Sequence, residues 1–166
     1  NIAEPNRLFK IKENGKFEEI KLNTGMEADG YGTGAAVADI DNDGVLELLV
    51  ARGESKEQSL TLYKAKVNKH SKYLRIKPIN KFGAPARGAT VTLLTNQRKH
   101  SKTIDAGSGY LCQMEPAKHY GIRKNEKNFK VEVKWTIWKK NSIEINSLNQ
   151  TVTIKQKWKK LYLNSF

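Results

Sequence analysis

Apolar side chains occupy every second position of residues 129–137, Phe-Lys-Val-Glu-Val-Lys-Trp-Thr-Ile, and this alternation constrains the fold most strongly. A period of two gives a strand one dry face and one wet face. The sequence shows no convincing amphipathic helix longer than about two turns, so we predict an all-β protein. Further strands are predicted for the short apolar runs Leu8–Ile11, Phe17–Ile20, Ala35–Ala38, Leu46–Val50, Leu60–Tyr63, Tyr73–Pro78, Ala89–Leu94, Ile143–Ile145 and Val152–Ile154.

Charge divides the chain into two parts of opposite sign. Residues 1–60 carry seven basic and twelve acidic side chains, a net charge of −5, whereas residues 61–166 carry 23 and five, a net charge of +18. A difference of this size suggests two units with different roles. We predict one unit over residues 1–66 and a second over residues 67–166. The acidic unit is expected to hold a cation and the basic unit to attract polyanions.

Four carboxylates lie within residues 39–47, on a loop that Gly44 turns back on itself. Oxygen atoms that converge in this way suit Ca²⁺, which binds six to eight of them. The predicted ligands are the side chains of Asp39, Asp41, Asp43 and Glu47 and the carbonyl of Val45. An EF-hand would need Glu at the twelfth position, where Val50 stands. The alternative is a solvated acidic turn, but clustered carboxylates repel one another without a cation.

The sequence around this loop resembles a known repeat. Residues 32–44, Gly-Thr-Gly-Ala-Ala-Val-Ala-Asp-Ile-Asp-Asn-Asp-Gly, followed by Leu46-Glu47-Leu48, resemble an FG-GAP repeat. Such repeats form the blades of integrin-α-like β-propellers. The family often has Asp at the last ligand position, so Glu47 would reach the same ion with a longer side chain. The short strands predicted before residue 66 match about one propeller blade.

The second part resembles the ASPIC/UnbV domain over about residues 73–138. The motifs that carry this resemblance follow one another in the family's order: Leu74–Pro78, Phe82–Val91, Asp105–Pro116, His119–Gly121 and Val131–Trp135. One departure lies after Trp135, where the family commonly has Pro-Ser-Gly and this chain has Thr-Ile-Trp-Lys-Lys. The resemblance implies a β-sandwich-like or barrel-like module.

The combination of the two families implies a secreted, extracellular interaction module for adhesion or matrix contacts, at the C-terminal end of a larger protein. A propeller needs four or more blades, so further blades of the same precursor are an expected partner. No apolar run approaches the roughly 18 residues of a membrane span. Asn149-Gln150-Thr151 is a glycosylation sequon. For the single cysteine, Cys112, two alternatives stay open: a disulfide to a partner thiol, or a buried free thiol.

Catalytic arrangements are poorly supported. Ser108, His119 and Asp105 invite a triad, but the Gly-x-Ser-x-Gly elbow and its strand-to-helix context are missing. Cys112 with His119 has no orienting third group, so we predict a non-enzymatic protein. Arg87, between small residues, is predicted to pair with Asp105 or Glu115 and so join two loops.

Lysines cluster near tryptophans in the basic unit. Lys155, Lys157, Lys159 and Lys160 flank Trp158, and Lys139 and Lys140 follow Trp138. Alternate lysines of a strand would form a ridge that attracts sulfated glycosaminoglycan in an extracellular matrix, or nucleic acid inside a cell. The expected partners are therefore an extracellular protein or a glycosaminoglycan. The alternative is that these lysines keep the surface soluble and protect edge strands.

Overall fold

The prediction of an all-β protein is confirmed by a computed structural model, which describes residues 6–12, 14–20, 32–53, 57–66, 71–105, 107, 109, 113–136 and 139–157. Twelve strands in four sheets run through these residues, and none of the described residues is helical. A helix long and apolar enough to cross a membrane is accordingly absent from the described part of the chain.

The chain begins with an antiparallel hairpin whose strands, β1 (Leu8–Ile11) and β2 (Phe17–Ile20), have the predicted bounds. Asn-Gly is a strong hairpin signal, and Gly15 takes φ +77° in the turn, a conformation that glycine adopts without steric cost. Apolar side chains of both strands face solvent, and Phe17 is 70% exposed.

A second antiparallel sheet has its strands in chain order: β3 (Gly32–Ala38), β4 (Glu47–Arg52) and β5 (Thr61–Lys64). The acidic loop connects β3 to β4. The register places Glu47 opposite Ala38 on one side and opposite Lys64 on the other. The sheet therefore brings a lysine to the base of the acidic loop.

Residues from 72 onward form two facing sheets. Their strands are β6 (Lys72–Ile79), β7 (Thr90–Leu94), β8 (Lys99–Thr103), β9 (Lys118–Ile122), β10 (Lys130–Lys134), β11 (Lys140–Glu144) and β12 (Gln150–Lys155). One sheet has the order β11-β10-β7-β8 and the other β12-β6-β9. All neighbours are antiparallel except β12, which runs parallel to β6. The predicted boundary after residue 66 lies between β5 and β6 and stays a prediction.

The core lies between these two sheets, which makes the module a sandwich of open sheets rather than a closed barrel. The buried side chains come from both: Leu74, Ile76, Tyr120 and Ile154 from one sheet, and Val91, Leu93, Val131 and Val133 from the other. Tyr120 is 1% exposed, and its hydroxyl donates to the carbonyl of Val91 across the sandwich at 2.9 Å.

Two strands have no apolar alternation of their own and were not predicted as strands. The β8 sequence is Lys-His-Ser-Lys-Thr, and β9 buries only Tyr120 fully. Each is an edge strand that pairs with a neighbour rich in apolar residues, β7 or β6. At β10 the predicted strand ends early, because the amide of Trp135 donates to the carbonyl of Lys139 and closes a turn.

Replacing Tyr120 with Phe should lower the free energy of unfolding by about 1 kcal/mol, because the buried bond to Val91 is lost while the ring is kept. Urea denaturation measures this loss. Tyr73→Phe, at a less buried ring, is the control and should change stability by less. Equal effects of the two changes would contradict the assigned role of the cross-sandwich bond.

Candidate metal centre

The loop between β3 and β4 gathers three carboxylates at one point. Asp39, Asp41 and Asp43 each present an oxygen atom within 4.8 Å of the others' oxygen atoms. Two residues with positive φ make the turn this tight, Asn42 at +60° and Gly44 at +87°. A single cation could therefore contact all three side chains.

Backbone amides inside the loop hold the carboxylates in place. The amide of Gly44 donates to both oxygens of Asp39, at 3.2 and 3.3 Å. Asp41 Oδ1 accepts from the amide of Asp43 at 3.3 Å, and Asp43 Oδ1 accepts from the amide of Val45 at 2.8 Å. These hydrogen bonds from backbone amides orient the aspartate side chains before any ligand arrives.

Glu47 closes the group from the start of β4. Its side chain is 3% exposed, and Oε2 accepts from the amide of Ile40 at 2.9 Å. The other oxygen, Oε1, is buried and has no hydrogen-bond donor in the described structure. An unsatisfied buried carboxylate oxygen costs about 1–3 kcal/mol or more, so this atom favours a cation.

Lys64 supplies a positive charge from β5. Its ammonium pairs closely with Asp41, lies 3.1 Å from Asp43 Oδ2 and lies 3.8 Å from Glu47 Oε1. The hydrogen bond between them raises the pKa of Lys64 and lowers the pKa of Asp41. Lys64 was not among the predicted site residues, because only the strand register brings it opposite Glu47.

The donor set fits a hard cation. All its side-chain donors are carboxylate oxygens, which Ca²⁺ prefers. The structure brings together the predicted Asp39, Asp41 and Asp43, and Glu47 is linked to them through the ammonium of Lys64. The amide of Val45 belongs to the same loop, and the role of its carbonyl as a ligand stays a prediction, as does calcium itself.

The tip of the acidic loop docks on the outer face of β6. Asn42 Oδ1 accepts a hydrogen bond from Arg75 Nη1 at 3.0 Å. Gly44 lies against the ring of Tyr73, where a Cβ atom would come within 2.0 Å of a ring carbon. Tyr73 in turn stacks on His119, with ring centroids 5.3 Å apart and planes 8° from parallel. The acidic loop is therefore part of the contact between the two units.

Arg75 anchors this contact. It is 6% exposed and also pairs with Glu115, which lies 3.1 Å from the ammonium of Lys77. Burial opposes ionisation of Glu115, but the hydrogen bonds from the two cations outweigh it and lower its pKa. Asp105 pairs with Lys118 at 3.1 Å. The partners of these two carboxylates are thus strand residues in place of the predicted Arg87.

The groups considered for catalysis have other roles where they are described. Asp105 is paired with Lys118, and burial lowers the pKa of His119, whose ring stacks on Tyr73. Ser108 and Cys112 lie outside the described residues, so the state of the thiol stays open.

The predicted lysine ridge is described only in part. Lys139 immediately precedes β11, and Lys140 is the first residue of that strand. Lys155 is the last residue of β12, and Lys157 lies two residues further along the chain. All four lysines are exposed. Both strands are sheet edges. Lys159 and Lys160 lie outside the described residues.

Asn149, the acceptor of the predicted sequon, lies in an exposed turn at φ +57°. The backbone amide of Asn149 donates to the backbone carbonyl of Tyr73 at 2.8 Å. The side-chain Oδ1 of Asn149 accepts from the backbone amide of Tyr73 at 3.1 Å. Neither of these hydrogen bonds uses Nδ2 of Asn149, the atom to which a glycan attaches. Glycosylation is compatible with this geometry and stays a prediction.

Comparison with known families matches residues 1–50 to the FG-GAP-like repeat and residues 80–161 to ASPIC and UnbV. The chain thus carries an FG-GAP-like repeat followed by an ASPIC/UnbV domain, as its motifs predicted. Over 135 residues it is similar to cartilage acidic protein 1, with 44% identity to the Xenopus tropicalis protein, 43% to that of Homo sapiens and 42% to that of Mus musculus. The matches cover 78% of this chain, which spans about a fifth of the length of these relatives.

Replacing Gly44 with Ala should destabilise the protein by about 1–3 kcal/mol more than Gly83→Ala, as is typical of overpacking. Both glycines have φ +87°, but a Cβ at Gly83 meets nothing within 4 Å, whereas one at Gly44 would collide with Tyr73. Urea denaturation compares the two. Equal losses would show that backbone strain, and not the contact with Tyr73, sets the requirement for glycine.

Proposed function

We propose that this chain is a non-enzymatic, calcium-binding interaction module of a secreted, matrix-type protein. The observation that carries the proposal is the convergence of Asp39, Asp41 and Asp43 beside the buried, donor-less oxygen of Glu47. Similarity to proteins named for cartilage, a tissue rich in extracellular matrix, supports the extracellular location.

Charge balance supports a divalent ion at this site. The loop gathers four carboxylates, and the ammonium of Lys64 contacts three of them, those of Asp41, Asp43 and Glu47. Two further positive charges would offset most of the remaining repulsion. Extracellular calcium sites bind in the range of about 10⁻⁴–10⁻³ M, which is weak enough for a loop with few buried ligands. The residues that would hold the ion are the four carboxylates and the carbonyl of Val45.

The position of the loop suggests what the ion would do. Asn42 and Gly44 lie between the ligands and also contact Arg75 and Tyr73 of the second unit. Fixing Asp41 and Asp43 would therefore fix the residues that dock on β6. A cation would in this way stiffen the contact between repeat and sandwich, and so the surface that a partner meets.

Further blades of the same precursor are the first partner that we propose. Strands β1 and β2 leave Phe9, Ile11 and Phe17 exposed. Exposed apolar groups of this kind mark surfaces that another protein segment covers. The matched 135 residues are 21% of the Xenopus tropicalis relative, which is therefore about four times as long as this chain and leaves room for such blades.

Isothermal titration of the chelator-treated protein should show one Ca²⁺ bound with a Kd of about a millimolar or tighter. Asp41→Asn should weaken binding at least about tenfold, because a charged ligand at the centre of the group is lost. Glu144→Gln, at an exposed carboxylate on β11, is the control and should leave binding unchanged. Absence of binding by the wild-type protein, or equal effects of both changes, would refute the calcium proposal.

Polyanion binding is a second candidate, favoured by the net charge of +18 on residues 61–166 and the exposure of Lys155 and Lys157. Sulfated glycosaminoglycan fits this chemistry in an extracellular setting, and nucleic acid would fit it inside a cell. The edge position of β11 and β12 favours the competing explanation, in which lysines discourage strand pairing between molecules.

Elution from heparin distinguishes the two explanations. If the ridge binds sulfated chains, changing Lys155 and Lys157 together to Ala should lower the salt concentration of elution more than changing Lys10 and Lys16 to Ala. Both pairs are exposed and remove the same charge. Equal shifts would mean that the column measures net charge only, and the ridge would not be a site.

A further inference from the structure

The ammonium of Lys64 lies among three of the proposed metal ligands. Lys64 is the last residue of β5, and the register pairs it with Glu47. Its ammonium contacts carboxylates of Asp41, Asp43 and Glu47, the residues that we propose as metal ligands. The side chain is 50% exposed and ends a flexible four-carbon stem, so it can turn into solvent without disturbing the core.

We infer that Lys64 is a built-in competitor of the metal: its ammonium neutralises the loop when no divalent cation is bound and leaves when one binds. This inference rests on the proposed calcium site and adds what sets its affinity. Glu47 provides the second observation beside the acidic cluster, because its buried Oε1 has no hydrogen-bond donor in the described structure and lies 3.8 Å from the ammonium that the metal would replace.

An ammonium and a metal ion exclude each other here on size and charge. The three aspartate oxygens lie within 4.8 Å of one another, which leaves room for one cation centre. Ammonium-to-carboxylate bonds span about 2.7–2.9 Å, and calcium-to-oxygen bonds span about 2.3–2.6 Å. Both cations therefore need the same oxygen atoms, and two positive charges at such short range repel.

Competition by a tethered cation weakens metal binding but stabilises the metal-free loop. The ammonium lowers the apparent affinity for the metal, since its contacts must break before the carboxylates can turn to the ion. It also protects the metal-free loop, since it offsets repulsion between the carboxylates. Removing the charge should therefore tighten metal binding and, at the same time, destabilise the metal-free protein.

The test is Lys64→Met, which keeps the length and apolar stem of the side chain but removes its charge. Loss of the contacts between the ammonium and these carboxylates should tighten Ca²⁺ binding roughly three- to tenfold by titration. Without calcium, the variant should melt below the wild-type protein. Lys66→Met is the matched control: it is two residues further along, exposed, and outside the ion pairs seen in the described structure.

A second readout uses the unaltered protein. Calcium should increase the labelling of Lys64 by an amine-reactive reagent, measured by peptide mass spectrometry, because the released ammonium moves into solvent. Labelling of Lys10, far from the loop in sequence and exposed, should not change. This readout does not depend on whether a variant folds.

The outcomes separate this inference from the proposed function. Equal calcium affinity of wild type and Lys64→Met, or weaker binding by the variant, would overturn the competitor role while leaving the calcium site intact. Equal tightening by Lys64→Met and Lys66→Met would reduce the effect to general charge and also overturn it. Absence of calcium binding by the wild-type protein and by both variants would refute the calcium site and the inference together. Calcium binding by Lys64→Met only would support the competitor role of Lys64.

Discussion

Repulsion among the carboxylates of the loop between β3 and β4 is the constraint on which the rest of the structure depends. Four negative charges within nine residues need nearby positive charge or hydrogen-bond donors to offset their mutual repulsion. Lys64 meets this need in part, and amides of the loop meet it further by donating to Asp39, Asp41 and Asp43. Because Asn42 and Gly44 lie between these charges, the neutralised turn presents them to the second unit in a fixed shape.

Alternation along β6 links this loop to the sandwich core. Leu74 and Ile76 point inward and are fully buried, while Tyr73 and Arg75 point outward to the loop. Arg75 is nonetheless buried, because the loop and Glu115 cover it. One strand thus contributes both to the core of the ASPIC/UnbV domain and to the surface that receives the FG-GAP-like repeat.

The sequence predicted the parts of the fold that each segment determines for itself. The hairpin of β1 and β2 follows from local alternation and Asn-Gly, and the convergence of Asp39, Asp41 and Asp43 follows from their spacing. The strands β8 and β9 were missed, because pairing with β7 and β6 forms them and their own residues are mostly polar. The role of Lys64 could not be predicted either, because it depends on strand register. The hydrogen bond from Arg75 to Asn42 could not be predicted because it depends on the approach of distant segments.

The choice between sandwich and barrel likewise needed the pairing of strands, since the inward residues of either architecture alternate in the same way. The hydrogen bond from Tyr120 to Val91 joins two separate sheets and identifies the module as a sandwich.

The most direct test of the proposed calcium site is a crystal structure of the protein grown with calcium, measured for anomalous scattering. We expect one peak bounded by Asp39, Asp41, Asp43 and Glu47, at about 2.3–2.6 Å from their oxygens, with the Lys64 ammonium turned to solvent. A loop without a peak, in which Lys64 still contacts the carboxylates at saturating calcium, would contradict it.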